Sequence, residues 1–158
     1  MATYEMDEFI FTLGNVQRWQ GYDSGLGFDD NGNERDSKWV ETGDDGTWMA
    51  GVTYEGLLEA NAWFYDVSKE VHASQIGYFD LGNHSDQGDV SLHWAVQYLH
   101  ESERDNSATQ ADIYGALVEL VIYDIGFNVA YNKSKKHDGK KSFSGIGGGS
   151  LFTSMDTM

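Results

Sequence analysis

The sequence predicts an all-β protein built as an antiparallel up-and-down meander of about eight strands. Three observations predict this fold: apolar and polar residues alternate along most of the chain, proline is absent from its 158 residues, and tight and long connections alternate. A strand sends successive side chains to opposite faces, so alternation is its signature. Proline cannot donate a hydrogen bond to a sheet, and its absence suits long strands.

The stretch GDVSLHWAVQYLH, residues 88–100, shows the alternation most clearly. Its apolar side chains are Val90, Leu92, Trp94, Val96 and Tyr98, and the opposite face carries Asp89, Ser91, His93, Ala95 and Gln97. Such a strand separates two different media. We expect its polar face to meet water and its apolar face to meet lipid.

The same pattern predicts strands along the rest of the chain, near residues 3–13, 16–22, 46–54, 57–66, 70–80, 89–100, 111–122 and 125–132. The stretch 111–122 has some helix propensity, but its β-branched residues and the turn that follows favour a strand. Most of these strands exceed the length of about 5–6 residues that is commonest in globular proteins. They reach the length of about 9–11 residues with which a tilted strand crosses a bilayer.

The connections between the predicted strands are of two kinds. Tight turns are predicted at Gly14-Asn15, Glu55-Gly56 and Tyr123-Asp124, and long polar connections at 23–45, 101–110 and 133–142. Two further loops, at 67–69 and 81–88, fit the alternation of tight and long connections less well. This alternation is typical of an up-and-down barrel with one short rim and one elaborated rim.

Composition excludes several classes of function. The net charge of −16, from 26 acidic and 10 basic residues, argues against nucleic acid as a partner and disfavours anionic membrane surfaces. The absence of cysteine excludes disulfides and thiolate chemistry. The longest apolar candidate, GALVELVIYDIGF at 115–127, is interrupted by Glu119 and Asp124, so no transmembrane helix is expected. The length predicts a single domain over residues 1–158.

Four segments of the sequence carry a family resemblance: LGNVQRWQGYDSGL, ETGDDGTWMAGVTYEGLLEANAWFYDV, QYLHESERDNSATQADIYGALVEL and FNVAYNKSKKHDGKKSFSGIGGGSLFTSMDTM. Together they resemble the OprD-type outer-membrane porins, in particular the major porins of Campylobacter-like bacteria. The resemblance implies a transmembrane barrel in the bacterial outer membrane that passes small hydrophilic solutes by diffusion. It implies no chemical step and no cofactor.

The chain departs from these porins in three ways. They are much longer, they carry a signal peptide, and they end on an aromatic residue, whereas this sequence ends SMDTM. The chain is therefore expected to be an internal or truncated segment of a porin. The basic run at 132–141 could contact lipopolysaccharide phosphates, and a homo-oligomer is a further expectation.

On the barrel interpretation, the polar faces of the strands line the lumen. The predicted pore-lining residues are Arg18, Glu59, Asn61, Asp89, Ser91, His93, Gln97, Glu119, Asn128 and Asn132. Glu119 is a charge within an otherwise apolar strand, and a charge facing lipid would be costly, so we place it in the lumen. The alternative is that these residues are simply the wetted face of a sheet.

Three other interpretations compete with the porin. The acidic loop 22–46 could hold calcium, although DDNGNERD lacks the spacing of an EF-hand. No enzyme is expected, because Ser91 and His93, two residues apart on one strand, would lie roughly 6–7 Å apart. A soluble β-sandwich or lectin-like binding module is the alternative function, with Trp48, Trp63 and Trp94 as core or as sugar-stacking platforms.

Overall fold

The computed structural model describes residues 1–19, 40–41, 45–67 and 73–140, and every regular element within these ranges is a β-strand. The strands are β1 (Ala2–Met6), β2 (Phe9–Val16), β3 (Arg18–Trp19), β4 (Val40–Glu41), β5 (Thr47–Glu55), β6 (Glu59–Val67), β7 (Ser74–Gln87), β8 (Val90–Glu103), β9 (Ala111–Ile122) and β10 (Ile125–Lys136). No helix that could span a membrane occurs among the described residues.

Eight of these strands form one antiparallel sheet in the order β1-β2-β5-β6-β7-β8-β9-β10. The short strands β3 and β4 pair with each other within the connection from β2 to β5. Each strand of the large sheet pairs with its neighbours in chain order, so the predicted all-β antiparallel meander of eight strands is confirmed. Within the described residues, β1 and β10 are the two edges of the sheet.

The first hairpin differs from the prediction. The sequence predicted one strand over 3–13 and a turn at Gly14-Asn15, but the chain turns at Asp7-Glu8, and Gly14 and Asn15 lie inside β2. Asp7 has a φ of 52°. This left-handed conformation, which aspartate tolerates better than most residues, allows the tight turn without a glycine.

The β7–β8 hairpin is longer than predicted. Residues 81–88 were expected to form a loop, and the structure continues β7 to Gln87 and turns at Gly88-Asp89. Gly88 has a φ of 61°, which favours glycine at this position. Asp89 therefore lies in the turn and not in the strand where the sequence placed it.

The connections divide the sheet into two rims. Residues 7–8, 56–58, 88–89 and 123–124 form tight turns at one end, which we call the short rim. The connections 17–46, 68–73 and 104–110 join strands at the opposite end, the long rim. Tight and long connections thus alternate regularly. The loops predicted at 67–69 and 81–88 fitted this alternation poorly because their predicted boundaries were wrong.

The two faces of the sheet differ in burial. Val67, Ile76, Tyr78, Leu99 and Ile113 form a buried hydrophobic cluster near the long rim. The cross-strand register places all five on the same face, together with Trp63 and Tyr65, which pack against them. We call this the inner face and the opposite one the outer face.

Candidate functional site

The inner face gathers most of the polar residues that the sequence singled out. Register and alternation place eight of the ten predicted pore-lining residues there: Glu59, Asn61, Ser91, His93, Gln97, Glu119, Asn128 and Asn132. Of the other two, Asp89 lies in the turn between β7 and β8. The side chain of Arg18 lies outside the described residues.

Two short chains of hydrogen bonds, which we together call the polar ladder, cross the inner face. Its members are Thr53, Asn61, Asp80, Tyr78, Gln97 and Asn132. Thr53 Oγ1 donates to Asn61 Oδ1 (2.7 Å), and Asn61 Nδ2 donates to Asp80 Oδ1 (3.0 Å). Tyr78 donates its hydroxyl to Gln97 Oε1 (3.3 Å), and Gln97 Nε2 donates to Asn132 Oδ1 (3.0 Å). The ladder therefore holds six side chains of this face in defined positions.

Gly115 makes the last bond of the ladder possible. It lies between Gln97 and Asn132 in the register, and a Cβ built on it would stand 2.4 Å from both bonding atoms. The absence of a side chain at this position lets two amides meet across an intervening strand.

A second row of polar side chains, the histidine row, lies closer to the short rim. His84, His93, Glu119 and Asn128 are directly opposite one another on β7, β8, β9 and β10. His93 Nδ1–H donates to Glu119 Oε2 (2.7 Å), and Asn128 Nδ2 donates to Glu119 Oε1 (2.6 Å). Glu119 is thus held on the inner face by two partners.

The charge of the inner face is acidic. By register its strand positions include Glu5, Glu55, Glu59, Asp80, Asp86, Glu101, Glu103 and Glu119, against one lysine position, Lys136. Glu55 and Glu59 are opposite each other and line an open cleft of about 470 Å³ with Thr53 and Asn61. The carboxylates give this face a negative potential.

A buried carboxylate lies on the outer face near the long rim, and sequence reasoning missed it. Asp112 Oδ1 accepts hydrogen bonds from His100 (2.8 Å) and from the Tyr98 hydroxyl (2.8 Å), and Oδ2 accepts one from His137 (2.9 Å). The bond from His100, followed by those from His137 and Tyr98, lowers the pKa of Asp112 well below its usual range, although burial opposes the shift. No motif signals this cluster, because Tyr98 and His100 lie on β8, Asp112 lies on β9, and His137 follows β10.

Ion pairs also tie the connections of the long rim to the sheet. Arg104, just after β8, donates to Asp66 Oδ1 of β6 at 2.5 Å, and this hydrogen bond raises the pKa of the guanidinium. Lys140, after β10, pairs with Glu103 of β8. Exposed pairs of this kind contribute little each, so they order the rim and add little to the stability of the fold.

The described residues contain no group of three or more His, Asp and Glu side chains arranged to hold a metal ion. Most of the loop 22–46, where calcium was considered, lies outside the described residues. The sequence interpretation also missed His84 and Asp86, because their stretch was assigned to a loop. Residues 82–87 are polar or glycine throughout, so no alternation of apolar and polar residues marks them as a strand.

Comparison with family models, curated proteins and solved structures finds no match for this chain.

Proposed function

We propose that this chain is a porin, or a segment of one, that forms a transmembrane β-barrel in the bacterial outer membrane and lets small hydrophilic solutes diffuse through. One observation carries the proposal. The outer face of the sheet exposes large apolar side chains on every one of its eight strands, while the inner face carries the polar ladder, the histidine row and most of the carboxylates beside its buried hydrophobic cluster.

The apolar side chains of the outer face are strongly exposed. Those at least 37% exposed are Tyr4, Met6, Phe9, Phe11, Leu13, Trp48, Phe64, Phe79, Val90, Leu92, Val96, Tyr98, Tyr114, Val118, Ile122, Ile125, Phe127, Val129 and Tyr131. A soluble monomer rarely exposes a continuous apolar patch larger than a few hundred Å². Lipid in contact with the apolar positions of the outer face accounts for this surface.

The height of the apolar band agrees with the thickness of a bilayer. On β8 the outward-facing apolar run extends from Val90 to Tyr98, and on β9 from Tyr114 to Ile122. Each run covers about 9 residues, which is the length of strand that crosses the hydrocarbon core.

Tyrosines lie at the border of this band towards the long rim. Tyr98, Tyr114 and Tyr131 end the apolar runs of three consecutive strands. The next outward residues towards the long rim are His100, Asp112 and Lys133, which are polar or charged. Amphipathic rings at the boundary between an apolar band and polar residues are the pattern of the aromatic girdles of outer-membrane barrels.

The inner face would supply the lining of the pore. Its amides, hydroxyls and carboxylates offer water and polar solutes hydrogen-bonding partners in place of the apolar groups of the outer face. The excess of carboxylates would favour cations over anions during passage, since rings of Asp and Glu concentrate cations.

The proposal is tested by folding the full chain into detergent and transferring it to a planar lipid bilayer. We expect an unboiled sample to migrate differently from a boiled one on a denaturing gel, and we expect stepwise conductance in the bilayer. In a potassium chloride gradient the reversal potential should show cation preference, reduced by the paired changes Glu55→Gln and Glu59→Gln. The matched control is Glu8→Gln in the β1–β2 turn, which should leave the reversal potential unchanged.

Two results would contradict the proposal. The first is a chain that folds in water without detergent and remains monomeric, which would favour the soluble binding module. The second is a chain folded in detergent that shows no conductance at any protein concentration.

A further inference from the structure

His84 and His93 form a pair of facing imidazoles on the inner face. The two residues are directly opposite each other in the β7–β8 register, their ring centroids are 6.1 Å apart, and the ring planes are inclined by 50°. Both side chains are reachable from solvent, with 49% and 33% exposure. Two strongly paired strands therefore bring two imidazole rings side by side.

Each imidazole is oriented by its own carboxylate. His84 Nε2–H donates to Asp86 Oδ2 (3.0 Å), and His93 Nδ1–H donates to Glu119 Oε2 (2.7 Å). A neutral imidazole that donates from one nitrogen carries a lone pair on the other, here Nδ1 of His84 and Nε2 of His93. No described residue makes a hydrogen bond to either of these nitrogens.

The carboxylates are themselves held in place. Glu119 accepts a second hydrogen bond from Asn128 at 2.6 Å, and Asp86 accepts one from Ser91, its cross-strand partner. Histidines that bind metals almost always donate their other N–H to a carboxylate or carbonyl, which fixes the tautomer and raises the basicity of the ligand. Both histidines of this pair have that arrangement.

The separation of the rings suits a shared metal ion. Zinc binds imidazole nitrogen at about 2.0–2.1 Å, which puts the ion roughly 3.2 Å from each ring centre. If the nitrogen–metal–nitrogen angle lies between the tetrahedral and the linear value, this distance puts the two ring centres about 5–6.5 Å apart. The observed 6.1 Å lies within this range, towards its linear end.

We propose that His84 and His93 bind one divalent transition-metal ion of the imidazole-preferring kind, such as Zn²⁺, Ni²⁺ or Cu²⁺, with water completing the coordination. Asp86 and Glu119 act as positioning residues and offset the charge of the ion. The site has two protein ligands, so the bound ion can exchange with ions in solution. Ca²⁺ and Mg²⁺ prefer oxygen ligands and do not compete.

The test measures metal binding directly and does not depend on conductance. The full chain, folded in detergent, is titrated with Ni²⁺ by calorimetry, and its Cu²⁺ complex is examined by electron paramagnetic resonance. We expect one ion per chain and a spectrum with two imidazole nitrogens. An excess of Mg²⁺ should leave the affinity unchanged.

Variants separate this pair from other histidines. His84→Gln or His93→Gln should weaken Ni²⁺ binding by more than about 10-fold, and Glu119→Gln should weaken it by about 10-fold, as expected when an oriented ligand or its support is lost. The control His100→Gln removes a histidine that also donates to a carboxylate, and it should leave the affinity unchanged. Circular dichroism checks that each variant keeps its β-structure.

Three outcomes would overturn the proposal. They are a Cu²⁺ spectrum of the unaltered chain without two nitrogen ligands, the same Ni²⁺ affinity in the unaltered chain and in His84→Gln, and an equal loss of affinity in His100→Gln. The first needs no variant, so the proposal is testable even if a substitution prevents folding.

Discussion

A lysine substitution at two adjacent residues of β10 tests which face of the sheet meets lipid. Val129 lies on the outer face with 70% exposure, and Asn128, its neighbour, is exposed on the inner face. If the proposed function is correct, a lysine at position 129 faces lipid and a lysine at position 128 faces water. We therefore compare Val129→Lys with Asn128→Lys.

The expected magnitudes differ clearly. In a membrane barrel, lysine on the lipid face near the midplane costs about 2–4 kcal/mol. Since about 1.4 kcal/mol corresponds to a tenfold change, Val129→Lys should lower the folding equilibrium constant by about 30-fold to nearly 1,000-fold. Asn128→Lys faces water and lies opposite Glu119, so it should change stability by no more than about 0.5 kcal/mol.

The assay is urea unfolding of each protein folded into lipid vesicles, followed by tryptophan fluorescence. Thinner bilayers should reduce the cost at Val129, because charges near an interface are cheaper than charges at the midplane. A change of less than 0.5 kcal/mol for Val129→Lys, or an equal loss for the two variants, would refute the assignment of the outer face to lipid.

Three further predictions follow from particular contacts, each measured by urea unfolding. A Cβ at Gly51 would lie 2.3 Å from the ring of Trp63, so Gly51→Ala should cost about 1–3 kcal/mol and shift the fluorescence. The control Gly77→Ala adds a Cβ with no atom within 4 Å, and a loss comparable to that of Gly51→Ala would contradict the argument. Gly115→Ala meets only flexible amide groups and should cost about 0.5–1.5 kcal/mol, the value of the ladder bond it breaks. Asp112→Asn should cost about 1.5–3 kcal/mol at neutral pH by weakening bonds to a charged group. Because the folded pKa of Asp112 is lowered, its stabilisation is present above the unfolded pKa of about 3.9 and is lost as the pH falls below it, so the two proteins should converge in acid. A constant difference down to pH 2 would contradict this.

The alternation of the sequence was sufficient to predict the sheet, but local composition misplaced some of its turns. Glycine at position 14 predicted a turn, yet Gly14 lies in β2, where a Cβ would stand 3.1 Å from Met49. The actual turn at Asp7-Glu8 has no glycine. Gly14 therefore predicted a turn wrongly, because the glycine at this position allows close packing within a strand.

Tertiary pairing explains the other boundary error. The stretch Gly82 to Ser85 has the composition of a loop, but the structure pairs it with Leu92 to Ala95 of β8. A neighbouring strand that is strongly β-forming supplies the hydrogen bonds that local propensity does not predict.

The candidate site was predictable as a face but not as a set of contacts. Period 2 placed His93 on the polar face of its strand, and the cost of a charge in lipid was the reason for placing Glu119 in the lumen; the structure places both side chains on one face. Their pairing with each other depends on the register between β8 and β9, which one residue of slippage would destroy. The Asp112 cluster depends on the same register at the other rim.

The order of pairing has a consequence for how the chain folds. From β5 to β10 every connection, including those of the long rim, is much shorter than 17–46, so each pairing closes a small loop and the strands can be added one after another. The connection from β2 to β5 spans 17–46, and closing roughly 30 residues instead of two costs on the order of 2 kcal/mol more entropy. The hairpin of β1 and β2 should therefore dock after the other six strands have assembled. Changes in the length of that connection should alter the rate of this last step more than the stability of the sheet.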